Sequence, residues 1–373
     1  MSFPPPASAT PASPYGVIPA SAVETAAINI GNTVRIAIGL TEQQAALIVH
    51  DQRTDLNRAL TAGYRRSLPQ AEFIDFDSVT PEQVLAAFER YKAGDLVVLI
   101  QSTSFRLEAF RVRIELFKRG LKVIEHVHLS RMPDTAQGLL YIDALAYDPV
   151  YYRGVGHALK ARIDQAPHGM VDSGNGEKLV FGAPFETAKL NIGDYSAMQN
   201  VGGQYPLGEV FTEAQDLEAV NGRVRIYVFG DTSFRVNHPA TPITLIVVKG
   251  RVTGTENSTP EFDTVLELIR AHEGEVWLRE LGFGMNRAFS RERMVSDIGT
   301  YERMCGIHLS LGAKHGQYAK PQFRRADTRY HIDVFAITEG VYLGEECVYR
   351  DGAWQVSPTA DYSDSRYVPA ASL

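Results

Sequence analysis

Two short segments carry ionisable side chains where a core strand would carry Val or Leu. Between Cys305 and Phe335 the chain reads C-G-I-H-L-S-L-G, a polar loop, then R-Y-H-I-D-V-F. In an extended strand, residues two apart share a face. His331 and Asp333 therefore point one way, with Ile332 and Val334 opposite. His308 and Ser310 likewise share a face opposite Ile307, Leu309 and Leu311. Two imidazoles and a carboxylate on facing strands form a donor set for a metal ion. By itself an H-x-D tripeptide is common, and its plain alternative is a core histidine satisfied by Asp333. The second segment, with a histidine of its own, changes the balance, because buried charge needs a partner or a metal.

Two glutamates are candidates to complete the set. Glu209 stands in Y-P-L-G-E-V-F-T and alone reads as an exposed loop glutamate. Glu280 stands in W-L-R-E-L-G-F-G-M-N and alone reads as a helix-end glutamate paired with Arg279 or Arg270. His126 and His128 also share a face, but no carboxylate cluster lies near them in sequence, which disfavours a metal there. Gly282-Phe-Gly284 lacks the dinucleotide spacing, and there is no G-x-S-x-G and no P-loop. Asn257-Ser-Thr matches a glycosylation sequon that an intracellular chain does not use.

The composition is ordinary for a globular protein, and 373 residues favour two domains over one. A net charge of -7 disfavours nucleic acid and anionic membrane surfaces as partners. Two cysteines, Cys305 and Cys347, form neither a disulfide framework nor a zinc-ribbon spacing. No apolar run approaches a membrane span, and the N-terminal residues lack the basic-then-apolar pattern of a secretory signal. The expectation is a soluble, cytoplasmic protein.

In chain order, residues 1–19 form a Pro/Ala-rich tail. Strand-like and helix-like stretches then alternate, with strands expected at 45–50, 72–77, 95–100 and 121–126 and helices at 20–38, 53–67, 80–92, 107–119 and 137–164. That alternation predicts βαβ units and a small parallel sheet, an α/β N-terminal domain over 20–165. Turn formers at 166–176 mark a boundary. Beyond it lies a β-rich α+β C-terminal metal-binding domain over 175–355. Its strands are expected at 178–182, 224–229, 243–248, 305–311, 330–337 and 340–349, with helical or mixed sequence at 260–273 and 275–280. Residues 356–373 are expected to be a loose polar tail.

Four pieces together, G-E-V-F-T at 208–212, R-E-L-G-F-G-M-N at 279–286, G-I-H-L-S-L-G at 306–312 and H-I-D at 331–333, resemble the metalloaminopeptidases of the aminopeptidase T and aminopeptidase S group in order and spacing. The resemblance implies two divalent metals, Zn, Co or Mn, held by Glu209, Glu280, His308, His331 and Asp333. It implies hydrolysis of a peptide or small-molecule amide, and a homodimer. Two divalent cations with a bridging hydroxide would offset the repulsion of three packed carboxylates. The family carries a Tyr seven residues after the strand histidine to assist the transition state. Here that position is His315, with Tyr318 close by as the other candidate for the role. The loop 313–329 is rich in Lys314, Lys320, Arg324, Arg325 and Arg329, and reads either as a solvated loop or as a lid selecting an acidic substrate. A more distant resemblance, to dihydroxypyridine ring-opening dioxygenases, implies one Fe on His308, His331 and Asp333. In that family a histidine stands where this chain has Glu280, and the G-E-V-F-T glutamate is absent. A third reading is a non-catalytic peptide-binding protein on the peptidase fold.

Overall fold

The computed structural model describes residues 17–105, 107 and 112–371. Most of the Pro/Ala-rich tail, and the first part of the helix expected at 107–119, lie outside the described residues. Five parallel strands form one sheet in the order Glu72–Asp75, Ala46–His50, Leu96–Ile100, Lys122–His126 and Gly202–Gln204. The first four arise as the alternation predicts, with helices Asp55–Ser67, Pro81–Phe88 and Val112–Lys118 between them. Their side chains alternate between two cores. Ile48, Val98 and Ile124 join the large core, while Leu47, Val49, Val97, Leu99 and Val123 pack with Val84, Phe88 and Leu116 in a smaller one. Thr80 caps its helix reciprocally with Gln83, and Pro81 occupies the first turn.

Two expectations need correction here. The fifth strand, Gly202–Gln204, comes from beyond the turn-rich stretch at 166–176, so the chain returns to the parallel sheet after leaving it. Gly202 sits at φ 106°, and a Cβ there would fall 1.9 Å from the Val123 carbonyl oxygen, so only glycine lets this edge pair so closely. The C-terminal residues are docked rather than loose. The Asn32 side chain donates to Val368 O (2.6 Å) and accepts from Val368 N (3.1 Å), and Tyr362 stacks on His157 at 5.5 Å.

The second sheet has fourteen strands, paired antiparallel throughout. An α/β layer built on a small parallel sheet thus precedes a β-rich one. The part that positions the site runs Val220–Gly230, Ile332–Ala336, Gly306–Leu311, Leu278–Gly284, Glu209–Thr212 and Lys189–Asn191. Residues 275–280, expected to be helical or mixed, contribute to a fully buried strand instead. The stretch 340–349 is a hairpin, Gly340–Leu343 with Glu346–Arg350. Among the described residues no helix is long and apolar enough to cross a membrane.

His126 ties its strand to the helices of the α/β layer. Its Nδ1 lies 2.8 Å from Tyr141 Oη, which itself donates to Tyr205 O at 3.0 Å, and its Nε2 lies 2.8 Å from Tyr64 Oη. Tyr141 uses its proton on the carbonyl, so His126 Nδ1 donates and Nε2 accepts from Tyr64. Both ring nitrogens are occupied by protein, which leaves none for a metal. Burial lowers the His126 pKa to about 3. Below pH 6.5 the unfolded chain takes up a proton that the fold excludes. Stability is therefore retained above pH 6.5 and lost as pH falls from there to about 3, by up to about 1.4 kcal/mol per pH unit. Urea unfolding measured across that window should show this slope in the wild type and a shallower one in His126→Gln.

Candidate metal centre

Residues directly opposed in an antiparallel ladder share a face. The register sets Glu209 opposite Gly284, Gly282 opposite His308, and Ser310 opposite Asp333. One face of these strands therefore carries Glu209, His308 and Asp333, while Leu281, Phe283, Ile307, Leu309, Leu311, Ile332 and Val334 turn into the large core. His331 immediately precedes its strand and keeps the same side as Asp333, with Nε2 3.2 Å from Asp333 Oδ1.

Glu280 lies at an irregularity. Leu278 pairs with Leu311 and Leu281 with Leu309, so one strand has an extra residue there. Such a bulge re-aims side chains. The Glu280 N–H donates to Ser310 Oγ at 3.0 Å, and neighbouring Arg279 makes a bidentate pair with buried Glu213 at 2.7 and 3.0 Å. Arg279 is thus not the partner of Glu280. Neither glutamate is a solvated surface residue; both are buried on strands.

The two oxygens of Glu280 face different histidines. Oε1 lies 3.2 Å from His308 Nε2, which is also 3.3 Å from Glu209 Oε1. Oε2 lies 2.9 Å from His315 Nε2 and 3.9 Å from His331 Nε2. Among the described residues, Glu209, Glu280 and His308 are the trio whose donor atoms all come within 4.8 Å of one another. His331, Asp333 and His315 gather more loosely around the other oxygen. His308 needs Gly282 beneath it, since a Cβ at that position would fall 2.0 Å from the imidazole Cε1.

The donor set fits a divalent cation. His331 Nδ1 lies 3.1 Å from the Lys314 carbonyl, to which it must donate, so in the neutral ring the Nε2 lone pair faces carboxylates that have no proton to offer. That is the outer contact expected of a ligating histidine. Asp333 Oδ1 is buried, with His331 Nε2 beside it at 3.2 Å but out of line for a hydrogen bond. Burial alone would raise the Glu280 pKa, but His308 and His315 hold it well below the usual carboxylate range. Burial would lower both imidazoles. Glu209 and Glu280 nevertheless push His308 up to about 10, and Asp333 and Glu280 push His331 up to about 9. These imidazoles are held where positive charge is favoured, which a proton or a metal ion can supply.

Tyr318 is not brought to this cluster through its hydroxyl, which lies 2.8 Å from Thr187 O and 3.2 Å from Phe211 O. Nor is the basic loop a free lid. Lys320 is buried, donating to Ala214 O and Gln215 O at 2.9 Å and pairing with Glu186. Glu273 accepts from Ala313 N at one end of the loop and from Arg329 N and Tyr330 N at the other. Lys314, Arg324, Arg325 and Arg329 remain exposed. Sequence reasoning missed Arg303, a buried guanidinium 3.5 Å from Glu209 Oε2, because no local pattern marks it. Glu213 directly follows G-E-V-F-T and could have been found as a charge inside an apolar strand context.

No protein-family model matches this chain, and no curated protein matches it in sequence. Solved structures do match. The 2,5-dihydroxypyridine dioxygenase of Pseudomonas putida KT2440 superimposes with a TM-score of 0.60 at 16% identity, over 91% of this chain and 99% of that one. Wild-type AmpT of Thermus thermophilus gives 0.54 at 14% identity, over 90% and 99%. The two families that the motifs resemble are therefore distant structural relatives of this chain, and at these identities the likeness is one of fold.

The His308–Gly282 packing is directly testable. In Gly282→Ala the ring must move away from Glu209 and Glu280. We expect a loss of about 1–3 kcal/mol in urea unfolding, together with weaker cobalt binding in a spectroscopic titration.

Proposed function

We propose that this chain is a metal-dependent hydrolase of aminopeptidase type that holds two divalent ions and cleaves a peptide or small-molecule amide. The observation that carries this reading is the placement of Glu280, whose two carboxylate oxygens face two separate groups of donors. Glu209, Glu280 Oε1 and His308 would hold one ion; Glu280 Oε2, His331 and Asp333 would hold the other. Bound there, the ions would supply Lewis acidity toward a carbonyl oxygen and lower the pKa of a coordinated water.

The chain's own residues do the rest. Ser310 fixes the Glu280 backbone, the Lys314 carbonyl fixes the His331 tautomer, and Arg303 sets positive charge beside Glu209. His331 is the exposed member of the cluster, its side chain 30% accessible against 8% for Glu280, so substrate would enter from its side. The apolar sheet face behind closes the opposite approach. The mixed N/O donor set suits Zn, Co or Mn.

One observation favours a second reading. His308, His331 and Asp333 lie on one side of adjacent strands, and two histidines with a carboxylate can hold a single Fe(II) for a dioxygenase. Against it, Glu209 and Glu280 add two buried carboxylates that such a site does not require.

Elemental analysis of untagged protein purified without chelator separates these readings. About two equivalents of Zn, Co or Mn per chain is the expected result, and about one of Fe would point to the dioxygenase. Failure to bind any metal after reconstitution would leave only a peptide-binding role. In Glu280→Ala we expect the fold to persist by circular dichroism and at least one of the two ions to be lost; unaltered metal content would remove Glu280 from the site.

A further inference from the structure

Arg303 is a guanidinium, 5% exposed, that the carboxylates of the metal centre use only in part. Its position follows from the strand beneath it. A Cβ at Gly284 would fall 1.9 Å from Met304 O and 3.0 Å from Arg303 C, so the missing side chain lets residues 303 and 304 lie close across the strand. The Asn286 N–H fixes them there by donating to Arg303 O at 2.8 Å. Gly284 is the residue opposite Glu209, which brings the guanidinium to that carboxylate. Nη1 meets Glu209 Oε2 at 3.5 Å, Gly299 O at 3.4 Å and the Glu302 carboxylate. Nε is buried and has no hydrogen-bond partner.

An arginine presents its Nε–H and one Nη2–H side by side, a fork that matches the two oxygens of a carboxylate. Nη1 points away from that edge, so the fork of Arg303 lacks an acceptor at its Nε end. A buried donor left without an acceptor is rare in a finished fold and is expected where a ligand supplies one. The space next to the guanidinium is open and polar. A Cβ on Gly299 would meet only Gln204 Nε2, at 3.7 Å, and Asp297 Oδ2, at 3.8 Å, within 4 Å. Asp297 is already engaged, by Arg131 at 2.8 Å and by Thr300 N and Oγ1 at 3.0 and 2.9 Å. Gln204 is half-buried and ends the parallel strand from which the chain runs on to Glu209, and its amide offers a second donor.

Resting on the metallohydrolase reading above, we infer that Arg303, with Gln204 beside it, is a subsite that reads a carboxylate on the substrate. The amide cleaved at the metal centre is then an acidic one, with a carboxylate close to the scissile bond. The side chain of an acidic N-terminal residue and the C-terminal carboxylate of a dipeptide both offer the fork the same two oxygens. A phosphate fits less well, because Glu209 and Glu302 stand beside the guanidinium and repel a dianion more than a monoanion. Glu209 Oε1 stays 3.3 Å from His308 Nε2, so the fork can take a carboxylate without drawing a donor out of the cluster.

The test uses full-length zinc-loaded protein and matched probes. L-aspartate 4-nitroanilide against L-asparagine 4-nitroanilide puts the charge on the N-terminal side chain. Leucyl-glycine against leucyl-glycinamide puts it at the C-terminus. In one of these pairs we expect wild type to favour the carboxylate by about 10- to 100-fold in kcat/KM, mostly through KM, and the pair that responds identifies the source. That ratio should fall about tenfold or more in Arg303→Lys, which keeps the charge but loses the fork, and should fall also in Gln204→Leu. Zinc content and the circular dichroism spectrum should match wild type in both; Gln204→Leu, at a half-buried position, carries the test if the buried substitution does not fold. Zinc-loaded wild type without a preference in either pair, whether it cleaves both members alike or neither, overturns the inference and leaves the metal centre standing. So does a preference that survives in the folded variants. Loss of zinc from folded Arg303→Lys also overturns it, by assigning the guanidinium to the support of Glu209. Wild type that binds no zinc instead removes the metallohydrolase reading, and this inference with it.

Discussion

Three carboxylates, Glu209, Glu280 and Asp333, are buried on one face of an antiparallel sheet, and the local structure answers to that constraint. Removed from water and crowded together, they would take up protons unless positive charge stood close by. His308, His331 and Arg303 stand close by. The same strands turn an unbroken apolar face into the core, so they cannot slip register to relieve the crowding: a shift of one residue would exchange the charged and apolar faces. The charge cluster is thus held in place by hydrophobic burial on its other side.

A second set of buried charges serves the first without joining it. Buried Arg279, Glu213 and Lys320, with half-buried Glu186 at the end, form a chain of ion pairs behind the site. Buried pairs of this kind contribute little net stability, yet removing one partner leaves an uncompensated charge and is strongly destabilising. Their effect here is positional. Arg279 and Glu273 tie down the loop that supplies both His315 and the Lys314 carbonyl. The basic character of that loop is therefore partly structural, with Lys320 turned inward and only the remaining cations facing solvent.

The fold is shared with a dioxygenase and with AmpT, and so does not choose between their chemistries. What distinguishes one use of such a sheet from another is which donors the strands carry. In this chain a bulged strand places a glutamate between two histidine groups.

Much of the architecture was legible in the residues themselves. The alternation at Ala46–His50, Leu96–Ile100 and Lys122–His126 revealed a parallel sheet, because strands buried on both faces must be apolar throughout. The two-residue spacing of His308 with Ser310 and of His331 with Asp333 showed that these polar side chains share faces. Other features depended on partners far away in sequence. Gly202–Gln204 has no strand signal and is a strand only because Val123 offers an edge. Glu209 and Glu280 look like surface glutamates until the register sets them beside His308. Gly282 looks like a turn residue until the His308 ring lies across it. The contacts of His315 with Gln317 N and of His331 with the Lys314 carbonyl are ones that periodicity does not encode. Local sequence determines which way a side chain points from its own strand; only the packed sheet determines what it meets there, because cross-strand neighbours are chosen by the burial of the whole apolar face.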